Sequence, residues 1–158
     1  MTDFDRDPAR YLPHRAPMLL IDSVEAYDEA SVRCRVSLGE QCALFRQADG
    51  TYPNSLFVEF MAQAVGMYAG IRDGADPESA TPPRVGFLLG SRNVTLHQTE
   101  LREGDVFDIE ARCVFFGEES LPSQFDCTVT HEGTPSAQAV LTVYRPSDLQ
   151  TFIREISQ

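Results

Sequence analysis

Three stretches of the chain alternate between apolar and polar positions. Val32, Cys34, Val36 and Leu38 interleave with Ser31, Arg33, Arg35 and Ser37. Phe107, Ile109, Ala111, Cys113 and Phe115 interleave with Asp108, Glu110 and Arg112, and Phe125, Cys127 and Val129 with Gln124, Asp126 and Thr128. This period of two predicts strands with one buried and one wet face, the signature of an antiparallel sheet. Residues 18–24, 85–96 and 137–144 read as further strands with a weaker pattern. Turn-forming clusters separate them: Arg102-Glu103-Gly104-Asp105, Phe116-Gly117-Glu118-Glu119 and Glu132-Gly133.

One segment breaks the series. From Asn54 or Ser55, either a fitting N-cap, to Arg72 the chain is apolar on nearly every side of a helical wheel. Such a helix must be buried most of the way round, and in a chain this short the simplest cover is the sheet itself. A loop rich in Pro, Gly and Asp, predicted to be mobile, follows at 73–83. Ser147-Asp148-Leu149-Gln150 has the form of a capping box opening a short helix through Ile156. The expectation is an α+β fold: one domain spanning 1–158, with a curved antiparallel sheet around one long central helix. No internal repeat is visible.

Composition narrows the function. The chain has 158 residues, 42% apolar and 23% charged, which suits one folded domain with a core. Its formal net charge of −11 opposes every phosphate contact a nucleic-acid binder would need. All 13 cationic residues are Arg, so lysine chemistry is excluded. The longest apolar run contains Glu59 and Gln63, and no membrane span is predicted. The opening residues are acidic rather than a signal pattern, and the four cysteines have no CxxC or metal-ligand spacing. The expectation is a cytoplasmic protein with reduced thiols.

The helix carries the most informative residue. Glu59 stands between Val58 and Phe60, and a carboxylate in such surroundings is a candidate general acid or base. Gln63, Gly66 and Gly70 extend it into one narrow stripe at helical spacing. Each glycine costs about 1 kcal/mol against Ala inside a helix, so a strand, a second subunit or a thin ligand is expected to approach there. Of the three histidines, His131 beside its turn reads as solvated. His97 follows the loop's strand, and His14 lies between two prolines in Leu12-Pro13-His14-Arg15-Ala16-Pro17. A His/Glu pair suits proton abstraction beside a carbonyl followed by loss of a hydroxyl. No phosphate-binding glycine loop or GxSxG elbow is present.

The stretch Leu12-Pro13-His14-Arg15-Ala16-Pro17-Met18-Leu19-Leu20-Ile21-Asp22 resembles the LPHRxPxLLxD opening of the 3-hydroxyacyl-[acyl-carrier-protein] dehydratases of the hotdog fold. Pro53-Asn54-Ser55-Leu56-Phe57-Val58-Glu59-Phe60-Met61-Ala62-Gln63-Ala64 resembles their central helix, PGxLxxEAMAQA, and Gly86-Phe87-Leu88-Leu89-Gly90 their next strand. The GFLLGSR and VYRP wording is similar to a divergent bacterial branch linked to aryl polyene or xanthomonadin-type pigment synthesis. The resemblance implies protomers paired edge to edge, as a homodimer or with a related hotdog subunit. It also implies dehydration of a 3-hydroxyacyl chain on acyl carrier protein to a trans-2-enoyl product, with no cofactor and no metal. Glu59 aligns with the family's helix Glu, and Gln63 with the Gln of MAQA. Gln63, Phe45, Gly86, Phe87 and Leu88 are the expected substrate contacts.

One departure matters. The family's catalytic His lies in a GHFPG motif upstream of that Glu, where this chain reads Cys42-Ala43-Leu44-Phe45-Arg46-Gln47-Ala48. We expect His14 to replace it as partner of Glu59, with His97 in reserve. Acyl carrier proteins are acidic, so docking to this acidic chain needs a local patch of Arg. Arg15, Arg84 and Arg92 are the candidates. Two other functions fit the residues: a hotdog thioesterase using the helix carboxylate alone, and a non-catalytic partner subunit of a related dehydratase.

Overall fold

The computed structural model describes residues 4–78, 82–118, 121–146 and 148–157. The chain runs through β1 (Ser23–Tyr27), β2 (Ser31–Ser37), a 3-10 turn at Glu40–Phe45 and β3 (Thr51–Pro53) into the helix α1 (Leu56–Asp73). After it come β4 (Phe87–Leu96), β5 (Glu100–Arg102), β6 (Val106–Phe115), β7 (Ser123–His131), β8 (Thr134–Tyr144) and the helix α2 (Leu149–Ile156). Six strands form one antiparallel sheet in the order β1-β2-β6-β7-β8-β4, and β3 pairs with β5 apart from it. This is the expected α+β hotdog arrangement, with α1 packed on β2, β6, β7 and β8.

Alternation decides which face meets the helix. Val32, Cys34 and Val36 of β2 are fully buried while Arg33, Arg35 and Ser37 face water. Phe107, Ile109 and Ala111, then Phe125, Cys127 and Val129, repeat the pattern on β6 and β7. From the other side α1 delivers aromatic rings: Phe57 meets Phe107 edge-on at 5.1 Å between centroids, and Tyr68 meets Phe125 edge-on at 5.3 Å. Eleven of the helix's 18 residues are buried, as a helix apolar on nearly every side requires. The helix ends at Gly74, whose φ of +67° is the left-handed cap that glycine adopts without strain.

Several local expectations are corrected. Residues 18–22 are not a strand: the N–H groups of Met18 and Leu19 turn back to the Arg15 carbonyl, the side chain of Gln63 holds Met18 and Leu20, and Asp22 N–H is the first to reach β2, at the Arg35 carbonyl. Gln63 accepts from the Leu20 N–H at 3.0 Å and donates to the Met18 carbonyl at 2.7 Å. Ser55 is the N-cap of α1, but its backbone is helical and its side chain makes no capping bond; Asn54 instead donates to the Gln98 carbonyl at 3.3 Å. At α2 the cap is Asp148, which accepts from the Thr151 N–H at 3.1 Å. The capping role expected of Ser147 lies outside the described residues, as do 79–81 of the loop after α1. The four cysteines are unbridged.

Candidate active site

A cavity of about 400 Å³ runs along one stripe of α1 formed by Glu59, Ala62, Gln63, Gly66, Ala69 and Gly70. These residues repeat every three or four positions, so they share one helix face. Opposite them stand the segment 11–14, residues 84–86, and Leu88. Phe116, Ser123, Phe125, Val143 and Arg145 complete the wall. At one end Gln63 fixes Glu59: its Nε2 donates to Glu59 Oε1 at 2.9 Å, one helical turn away. That amide, itself anchored to the backbone of Met18 and Leu20, leaves the second carboxylate oxygen of Glu59 without a recorded bond among the described residues.

The glycines explain how the wall closes. A Cβ at Gly66 would stand 2.7 Å from Leu12 Cδ2, and one at Gly70 would stand 2.6 Å from the Tyr11 carbonyl oxygen. The element that meets both glycines is thus the chain's own segment before β1, which is not a strand. This strap brings His14 to the wall of the cavity that Glu59 also lines. Arg15 turns back on the strap and donates to the carbonyls of Leu12 at 2.8 Å and His14 at 2.7 Å. His14 Nδ1 is buried and has no hydrogen-bond partner among the described residues. A buried imidazole nitrogen without a partner is rare enough to need a reason, and a reactive role is one.

The structure brings together His14, Glu59, Gln63, Gly86, Leu88 and Arg84 on one cavity. It does not bring the remaining expected residues there. Phe87 points to the opposite face of β4, where its ring lies 4.9 Å from Phe152 of α2, because successive side chains of a strand alternate. Phe45 ends the 3-10 turn and packs partly buried against the core. His97 follows β4 in an exposed position, and Arg92 is exposed on β4. Arg15 is exposed and does not line the cavity; its Nη1 is bonded to its own strap.

Two lining groups escaped the sequence reading. Arg145, just past β8, bonds Asp73 at the end of α1 at 2.5 Å and lies 5.1 Å from the ring of Phe116. Phe116 also carries Arg72, at 4.1 Å. The only trace of this in the sequence is an isolated Arg after an alternating strand. Its partner lies 72 positions away, and such a pairing has no local signal.

A family model for ApeP-like proteins, described as ApeP dehydratase, matches residues 6–154. Among solved structures, a chain of the dehydratase heterocomplex ApeI:P from Xenorhabdus doucetiae is similar at 28% identity and a TM-score of 0.86. The match covers 99% of this chain and 100% of that one. A mutant of the thioesterase PA1618 from Pseudomonas aeruginosa, at 19% identity, TM-score 0.55 and 78% coverage of both chains, shares the fold. So does a hypothetical thioesterase with coenzyme A from Streptococcus pneumoniae TIGR4, at 16% identity and TM-score 0.57, covering 78% of this chain and 87% of that one. With its sheet wrapped on one helix and a match along nearly its whole length, the chain belongs to the ApeP-like dehydratase family.

Proposed function

We propose that this protein dehydrates 3-hydroxyacyl thioesters on acyl carrier protein to trans-2-enoyl products, with His14 and Glu59 as the acid–base pair. The observation that carries this reading is the partnerless, buried Nδ1 of His14 on the same cavity as Glu59. In the forward step the imidazole takes a proton from C2 of the acyl chain. The C2–H electron pair becomes the C2–C3 double bond while the C3–oxygen bond breaks. Glu59 delivers a proton to the departing hydroxyl, which leaves as water. Proton exchange between the imidazolium and the carboxylate, directly or through solvent, restores the starting pair. Gln63 is the positioning residue, since it holds one Glu59 oxygen and the strap's exit together. The four unbridged cysteines suit a reducing compartment, the cytoplasm.

The test is enoyl absorbance with a 3-hydroxyacyl N-acetylcysteamine thioester. His14→Ala and Glu59→Gln are each expected to slow its appearance by about 100-fold or more. Full activity in His14→Ala removes the histidine from the mechanism. Free thiol release instead of an enoyl product assigns a thioesterase.

A second reading concerns assembly. β4 is one of the sheet's two edge strands, ten residues long, with Leu88, Leu89 and Val94 exposed. A long apolar edge of this kind is a template for pairing with another chain. The similar structure from Xenorhabdus is a heterocomplex. These observations support a related hotdog subunit on β4, in a complex where this chain either catalyses or shapes the partner's site. Leu89→Arg is expected to reduce the particle mass measured by light scattering of the co-expressed complex. An unchanged mass rejects β4 as the joint.

A further inference from the structure

The outer face of the sheet follows one rule about charge. Register sets each arginine of β2 and β6 on that face opposite a carboxylate of the next strand. Arg35 stands opposite Asp108, Arg33 opposite Glu110 and Arg112 opposite Asp126. Arg35 Nε reaches Asp108 Oδ1 at 3.2 Å. Opposite charges in such cross-strand pairs hold two strands together, and like charges push them apart.

Arg92 of β4 departs from the rule. On one side it stands opposite Val140 of β8, and Val140 stands opposite Asp126 of β7. Two strands away, at about 4.8 Å per strand, that carboxylate is out of reach of an ion pair, and it already faces Arg112. Arg92 is exposed and has neither an ion pair nor a side-chain hydrogen bond among the described residues. Its backbone is in regular register: Gly90, Ser91 and Arg92 pair in turn with Thr142, Leu141 and Val140, and the irregularity begins past Arg92, where Asn93 takes a φ of +53°. Because β4 is an edge strand, the other position opposite Arg92 lies across that edge.

We propose that β4 pairs with an edge strand of a different hotdog subunit, and that this strand presents an Asp or Glu opposite Arg92. The inference rests on the assembly reading above and adds what selects the partner. A second copy of this chain does not satisfy it. β4 contains no Asp or Glu, and its outer-face positions are Phe87, Gly90, Arg92 and Thr95. Pairing β4 with β4 of a second copy sets Arg92 against an uncharged residue or against another Arg92. The other edge strand, β1, does carry Glu25, but that carboxylate is in use. It accepts from Ser23 Oγ at 2.6 Å and Arg6 Nη1 at 3.0 Å. The Arg6 carbonyl also accepts from the Val24 N–H at 3.1 Å, which covers the free side of β1. Joining β1 of one copy to β4 of the next would moreover build an open chain of subunits in place of a closed particle. Arg92 thus favours an unlike partner and disfavours self-pairing, in the way charges across an interface select between partners.

The experiment takes the complex that a tag on this chain recovers from its source cells. Native mass spectrometry reads its composition, and dilution gives its dissociation constant. A heteromer with a second hotdog chain is expected; a homo-oligomer or a monomer alone overturns the proposal. Arg92→Glu is expected to weaken the heteromer about 10-fold at low salt and Arg92→Lys by less than about 3-fold, a gap that closes as salt rises. Both variants keep the wild-type Tm of the separated chain, since Arg92 bonds nothing within it. Exchanging the partner's opposing carboxylate for Arg is expected to bring Arg92→Glu back to within about 3-fold of wild type. Restoration at none of the acidic positions of that strand overturns the pair. Leu89→Arg separates the two levels. Dissociation by Leu89→Arg with no effect of Arg92→Glu keeps the β4 joint and overturns the charge pair. A heteromer that withstands both substitutions rejects the β4 joint itself.

Discussion

Gln63 Nε2 donates to Glu59 Oε1 at 2.9 Å while the same side chain closes two bonds to the backbone of Met18 and Leu20. One amide thus ties the candidate acid to the segment that delivers the candidate base. Gln63→Leu keeps the volume and removes all three bonds, leaving the buried Leu20 N–H unpaired. It is expected to cost about 2–3 kcal/mol of stability by urea unfolding. Dehydration should also fall while the far-ultraviolet circular dichroism of the folded state is unchanged. A variant as stable and active as wild type denies Gln63 this part.

The two helix glycines differ in what an added methyl group would strike. At Gly70 the obstacle is the Tyr11 backbone, at 2.6 Å, and backbone cannot swing aside. At Gly66 it is the tip of Leu12, a flexible side chain, at 2.7 Å. Gly70→Ala is expected to destabilise by about 1–3 kcal/mol, even though Ala is the better helix former by about 1 kcal/mol. Gly66→Ala should be close to neutral. Thermal melts of the two variants side by side check this, and equal effects contradict the strap's position.

Burial pushes the thiols of Cys42 and Cys127 up to about 12, and that of Cys34 higher still. These groups stay neutral in the folded chain but ionise near their ordinary value of 9.0 once unfolded. The folded state therefore binds more protons across that window. The thiols' contribution is complete below pH 9 and is lost as pH rises from about 9 toward 12. Urea midpoints should fall on that alkaline limb, less steeply in Cys127→Ala. Iodoacetamide at pH 8 should leave Cys34 and Cys127 unmodified in the native protein and modify them in urea. Rapid native alkylation of either contradicts their burial.

How far the sequence carried this account depended on whether the decisive contact was local. Val32, Cys34 and Val36 announce their shared face by spacing alone, and α1 announces its burial by having no polar side. The edge position of β4 and the pairing of β2 with β6 are long-range, and alternation says nothing about order. Gly66 and Gly70 signalled a close approach without naming Tyr11 and Leu12, because the strap lies more than fifty positions upstream. Glu59 stood out by its apolar surroundings and by resemblance, and His14 by its place between two prolines; that both line one cavity is a fact of the fold. The Arg72, Phe116 and Arg145 group was not, since its members come from the helix end, a turn and a strand end that only the fold brings together. Residues 18–22 were misread as strand because a turn onto the Arg15 carbonyl and two bonds to the Gln63 side chain leave the same apolar pattern.

The measurement that bears most directly on the central claim is mass spectrometry of a 3-hydroxyacyl carrier protein incubated with the purified protein. Wild type is predicted to remove one water and leave the thioester intact, while His14→Ala and Glu59→Gln leave the substrate unchanged. An unchanged substrate with wild type, or loss of water that persists in both variants, would contradict catalysis by this pair.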